Sequence, residues 1–309
     1  MNPAPSIIAF TTLSGAGFGL LVFLGLGLPA PTGWAGFAWF ALAYALAAGG
    51  LVSSVFHLGH PERAPLALTQ WRTSWLSREG IAAIATLAVL AIYAAGLVFL
   101  DLWLWPLGIL GAAGAAATLA CTAMIYTQMR TVPRWRHWST PALFGAHALA
   151  GGAILAGLPP AALPLLAIGA ALQAYVFLDG DRRFARSGTD MNTATRLPGR
   201  VRQFEPPHTG PNYLLDEMVY VVARRRAAQL RLLCLALGFA LPILVLLLSW
   251  HPAALALAAL SHLAGVAAGR WLFFAEAEHV VGLYYGRRVG TPGTELMRPR
   301  MGSQTGPSS

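Results

Sequence analysis

Residues 80–128 read GIAAIATLAVLAIYAAGLVFLDLWLWPLGILGAAGAAATLACTAMIYTQ. Two apolar runs, 80–100 and 103–128, meet at a single charged residue, Asp101. A hydrocarbon core about 30 Å thick needs roughly 20 apolar residues of helix to cross it. Each run is long enough, and backbone groups in lipid must bond within their own segment. The pattern therefore predicts two membrane-spanning helices joined by a tight turn. The alternation that would mark a barrel strand is absent.

Working outward, six more stretches fit the same description: 7–28, 34–57, 140–158, 160–178, 229–250 and 252–275. The expected architecture is an all-α integral membrane protein, eight transmembrane helices in one bundle. Only Leu158-Pro159-Pro160 divides the fifth span from the sixth. Gly15 and Gly19, and Gly108, Gly111 and Gly114, are small residues at spacings that let helices approach closely. Residues 1–286 read as the transmembrane domain. The Gly-, Pro- and Ser-rich stretch 287–309 reads as a mobile tail.

Composition agrees. The chain of 309 residues is 56% hydrophobic and 11% charged, against about 25% charged in a soluble domain. Its mean hydropathy is +0.59. The net charge of +9 comes entirely from arginine, and the arginines sit between the apolar runs, which argues for orientation in a membrane rather than nucleic-acid binding. Cys121 and Cys234 are isolated within apolar runs, so neither an iron–sulfur site nor a disulfide framework is expected. The first basic residue is Arg63, so no charged region suits a cleavable signal.

The arginines alternate sides. Arg63, Arg72 and Arg78 lie between spans two and three, and Arg130, Arg134 and Arg136 between four and five. Arg182 to Arg231 lie between six and seven, and Arg287 to Arg300 after eight. The opposite connections carry none. The positive-inside rule puts both termini and all basic connections in the cytoplasm. Trp34, Trp103, Trp105 and Trp250 mark one interface, and Trp71, Trp75, Trp135 and Trp138 the other. The longest connection, 179–228, contains Pro206, Pro207, His208 and Tyr213 in a proline-fixed extended stretch, and reads as a docking surface for a cytoplasmic protein.

Ionisable residues at membrane depth are functional candidates. The densest set runs from His57 through Arg63 and Arg72 to Arg78 and Glu79, with His57 and Glu79 ending adjacent helices on one face. Tyr126 closes span four. Arg270, late in span eight, is expected to pair with Glu276 or a neighbouring helix. His147 and His262 lie mid-span. Facing histidines could ligate a b-type haem, or each could bond a neighbouring helix.

Three motifs carry a resemblance. His57-Leu58-Gly59 with Pro61 and Arg63-Ala64 is the first. Ser74, Leu76, Ser77 and Glu79 form the second, and Tyr126 with Thr131-Val132-Pro133 and Trp135 the third. Together they resemble the membrane-anchor subunits of the dimethyl sulfoxide reductase type. The stretch from Glu205 to Met218 resembles a subgroup that includes anchors of cytoplasmic sulfite-oxidising molybdoenzymes. The resemblance implies a quinone, menaquinone or ubiquinone, and it carries the family's quinone-site histidine and glutamate onto His57 and Glu79. It further implies an iron–sulfur subunit and a molybdopterin catalytic subunit docked on the cytoplasmic face of a bacterial inner membrane. Arg63, Arg78 and Tyr126 are expected to orient the pair. A related anchor running quinol to an acceptor is the alternative. A secondary transporter is a further rival, but paired midplane breaks are lacking.

Overall fold

The computed structural model describes residues 3–57, 60–202, 204–205 and 226–285, and every regular element among them is helical. Helices α1 (Pro5–Gly25), α2 (Gly33–Ser53), α3 (Trp75–Phe99), α4 (Trp105–Thr127), α5 (Ser139–Leu155) and α6 (Pro159–Arg186) form the first part. A short α7 (Met191–Thr195) follows, then α8 (Ala227–Leu235), α9 (Leu241–Leu248) and α10 (Pro252–Ala275). Helices α8 and α9 are one span, joined through a π turn at Ala236–Ala240. The docking residues Pro206, Pro207, His208 and Tyr213, and the tail 287–309, lie outside the described residues.

Proline opens several of these helices. Pro5, Pro106, Pro159 and Pro252 stand in the first turn, where a missing N–H costs nothing and the fixed φ suits the helix. Helix α3 begins earlier than the apolar run suggests, because Ser74 accepts from the Ser77 N–H at 3.4 Å. Arg78 and Glu79 therefore lie inside the helix. Helix α6 overruns the expected end at 178 and continues to Arg186. Its last turns carry an Asp179–Arg183 pair at 2.7 Å, four residues apart, so the start of the expected docking connection is helical.

The expected count of eight spans is met in part. Among the described residues seven helical segments are long and apolar enough to cross a membrane, not eight. The shortfall is α5, whose 17 residues reach about 26 Å. Gly157, at φ +68°, stops it. Its N–H bonds to Ile154 O at 3.0 Å and that of Leu158 to Ala153 O at 2.9 Å, closing the last carbonyls in a left-handed cap.

Helix α1 is the hub, packing against α2, α4, α5 and α10. Close approach needs small residues, since lipid offers no hydrophobic drive for helices to associate. A side chain at Gly19 would strike the Ala148 backbone on α5, and one at Gly25 the backbone of Gly108 on α4. Gly15, expected to act with Gly19, faces open space; Gly17, against Ala43 and Ala47 of α2, takes that part. The outward faces carry Ile84, Ile92, Leu110, Leu178, Leu247 and Leu260, all exposed. So broad an apolar exterior suits lipid, not water. Trp34, Trp103, Trp105 and Trp250 are exposed at one end and Trp71 and Trp138 at the other. Trp135 is not an interface residue: it is buried, stacked on Phe273 at 5.1 Å, with its indole N–H donating to the Phe273 carbonyl at 2.9 Å.

Candidate functional site

Glu79 sits in the second turn of α3 and is only 3% exposed. Thr122, on the facing α4, meets its Oε1 and also lies 3.0 Å from the Thr118 carbonyl. A threonine hydroxyl has one proton and cannot donate to both oxygens. Its proton therefore goes to one of two acceptors, Glu79 Oε1 or the Thr118 carbonyl, and the contact holds the buried carboxyl of α3 against α4.

The other expected members of this site divide. His57 ends the tight turn Ser54–His57, and its side chain lies outside the described residues. Tyr126 is one turn beyond Thr122 on the same face of α4, buried, and within electrostatic reach of both Glu79 and Arg270. Its ring packs edge-on against Trp135, Phe273 and Phe274. Arg78 does not turn toward Glu79. Its Nε donates to Trp71 O at 2.9 Å, its Nη2 to Arg72 O at 2.7 Å, and its guanidinium lies 4.4 Å over Trp75. It therefore fixes the turn that leads into α3. Arg63 is exposed on the helical turn Pro61–Gln70.

The mid-span histidines have separate explanations. Pro242 has no N–H to give the carbonyl four residues back, at Gly238. The Leu241 N–H bonds instead to Ala236, which also frees Leu237. Side chains of α10 answer both: His262 Nδ1 lies 2.6 Å from Gly238 O, and the Ser261 hydroxyl donates to Leu237 O at 2.7 Å. His262 Nε2 faces the His147 carbonyl at 3.2 Å. With carbonyls against both ring nitrogens, His262 presents no lone pair to iron. Its ring is 6.4 Å from that of His147, and the cavity touching both is about 10 Å³, space for one water and not a macrocycle. The arrangement does not fit a bis-histidine haem. Neither nitrogen of His147 closes a hydrogen bond among the described residues.

Four charged residues from four parts of the chain close a ring at the arginine-bearing end. Arg134 bonds Asp181 at 2.9 Å and also Glu276; Arg231 bonds Glu276 at 2.7 Å and Asp181 at 2.7 Å. The two positive and two negative charges cancel. Glu276 is therefore taken, and the expected pairing with Arg270 does not occur. Arg270, 2% exposed, stacks on Phe144 with its guanidinium carbon 3.3 Å from the ring centre.

Residues 1–163, more than half of the chain, match the family described as "DMSO reductase anchor subunit (DmsC)". The chain belongs to the dimethyl sulfoxide reductase anchor-subunit family. It is also 32% identical over 323 residues to one of the subunits of the sulfite dehydrogenase of Allochromatium vinosum, across 92% of this chain and 99% of that protein. No solved structure matches it. Within this anchor family the matched segment contains Glu79, Thr122, Tyr126 and His147; Arg270 and most of the charge ring lie beyond it. Thr122 and Gln173 are site residues that sequence reading missed. A threonine is inexpensive anywhere in a helix and gives no signal. Gln173, an amide in the middle of an apolar span, was a visible one.

Proposed function

We propose that this anchor subunit passes electrons between membrane quinone and a cytoplasmic iron–sulfur subunit, which serves a molybdopterin subunit that oxidises sulfite. The observation that carries the reading is the buried Glu79–Thr122 pair. A buried carboxyl group backed by a hydroxyl is suited to exchange a proton with a quinone or quinol. A bound quinone supplies the two-electron, two-proton chemistry. The chain's own residues do the rest: Glu79 holds or releases a proton at its carboxyl, Thr122 orients that carboxyl, and Tyr126 with its aromatic neighbours walls off water behind it. His57, close in sequence to the same helix ends, is the second proton-carrying candidate, and an imidazole titrates near neutrality. Arg63 and Arg78 contribute through the turn between them, by holding the start of α3.

Sulfite as the substrate of the complex is supported by the name of the relative that aligns along nearly the whole chain. The family's description favours the second reading, an anchor that takes electrons from quinol to a reducible acceptor. Either way the arginine-rich connections face the cytoplasm of a bacterial inner membrane, both termini lie there, and α5 is the eighth, shortened crossing. The 179–228 connection, with Pro206, Pro207, His208 and Tyr213, is the docking surface.

The test is Glu79→Gln in the assembled complex. Glutamine keeps the shape and loses the titratable proton. Quinone-linked turnover is expected to fall by roughly 10²-fold, the scale of a lost acid–base group, while the subunits still co-purify. Unchanged turnover removes Glu79 from the reaction.

A further inference from the structure

No carboxylate among the described residues pairs with the buried Arg270. Among the described residues it makes no hydrogen bond or ion pair, and its Nε has no partner. Phe144 covers one face of the guanidinium at 3.3 Å and offers its N–H groups no acceptor oxygen. Arginine keeps its proton in proteins, so the charge cannot be shed. The groups within electrostatic reach, Tyr126 and Cys234, are neutral at neutral pH. The nearby carboxylates, Glu276 and Asp181, are matched one for one by Arg134 and Arg231. Among the described residues one positive charge is left over inside the bundle. Burial of an isolated charge is among the costliest things a fold can do.

A cavity of about 10 Å³ lies against it, bounded by Arg270, His147 and Gln173 and also by Arg134 and Glu276, which are paired with each other. His147 is 4% exposed; neither ring nitrogen closes a hydrogen bond of full geometry, and the polar side chain that interacts with it is that of Gln173. Gln173, 2% exposed, lies beside it. Thr140, also in the wall, is already committed, donating to the Trp135 carbonyl at 2.7 Å. A second small cavity on the far side shares the Arg270 and His147 walls, with the unpartnered Thr12 hydroxyl near it.

We propose that the space between Arg270, His147 and Gln173 is a binding site for one small monovalent anion, a halide or an oxyanion of like size. A single negative charge balances the single excess positive one. The size of the space excludes anything much larger than a water or a halide ion. A guanidinium, an imidazole N–H and a carboxamide converge as donors, which is the chemistry of an anion pocket. Water alone would satisfy the hydrogen bonds and leave the charge unbalanced.

The probe is bromide. The full-length protein in detergent micelles is held in gluconate buffer, and bromide is titrated in at constant ionic strength while the thermal unfolding midpoint is followed. A saturable rise of several degrees is expected, and Arg270→Gln is expected to abolish it. Gln173→Leu, which keeps the charge and loses one donor, is expected to weaken the apparent bromide affinity several-fold, so the test survives if Arg270→Gln fails to fold. Crystals grown in bromide are expected to show an anomalous peak between Arg270 and His147. A wild-type midpoint indifferent to bromide, a response retained in Arg270→Gln, or a map without that peak overturns the proposal, and would mean that the counter-charge is a carboxylate of the chain itself or that only water enters. None of these outcomes bears on Glu79→Gln turnover, so the two readings fail independently.

Discussion

At the scale of the residue, the Glu79–Thr122 contact is a single hydroxyl serving two oxygens. Thr122→Val keeps the shape and deletes the hydroxyl, leaving a buried carboxyl unsatisfied. An orphaned buried polar group costs about 1–3 kcal/mol, so thermal unfolding is expected at lower temperature, and quinone turnover should drop with it. Thr122→Ser restores the hydroxyl and is expected to restore both; a Val variant equal to wild type in both would show that the contact does nothing. Glu79 was legible in the sequence because it closes a dense set of ionisable residues at the edge of an apolar run and falls in a motif of the resemblance. Thr122 was not, because threonine commonly bonds its own helix backbone and so hides among neighbours such as Thr118. Arg270 was legible as unusual, and of the two partners expected for it the structure shows a neighbouring helix, through Phe144 of α5, and not Glu276. Charge sign alone made that pairing plausible, and only the geometry shows Arg134 and Arg231 holding both carboxylate oxygens first.

At the scale of the element, hydropathy located nearly every helix, and Leu158-Pro159-Pro160 placed the boundary between the fifth and the sixth. The errors fell where polar side chains act on the backbone. Ser74 draws α3 back to Trp75, and the Asp179–Arg183 pair carries α6 past the apolar run. Pro242 was visible as an interior break, yet its consequence was not: it frees carbonyls that His262 and Ser261 satisfy from the next helix. A histidine read as a candidate haem ligand is thereby a structural partner of a proline. The α1–α5 contact gives the prediction at this scale. Gly19→Leu drives a side chain into the Ala148 backbone, with no flexible neighbour to yield. The helices cannot close, and the variant is expected to lose monodisperse behaviour in detergent, read by size-exclusion chromatography. Gly15→Leu, where the space is open, is expected to behave as wild type.

At the scale of the whole molecule, the arginine-bearing end is the organised one. The ring of Arg134, Asp181, Arg231 and Glu276 ties together the connection after α4 and helices α6, α8 and the end of α10. Beside it the aromatic set around Tyr126 and Trp135 closes the bundle. The proposed electron-passing role asks for two things of this end, a docking face for a soluble partner and a place near Glu79 for a lipid-soluble carrier. The direct measurement is photo-affinity labelling of the intact complex with an azido-quinone, followed by mapping of the modified peptides. Label on the stretches around Glu79 in α3 and Thr122 in α4, displaced by excess quinone and diminished in Glu79→Gln, is the predicted result. Label confined to other helices, or none that excess quinone displaces, would contradict the account.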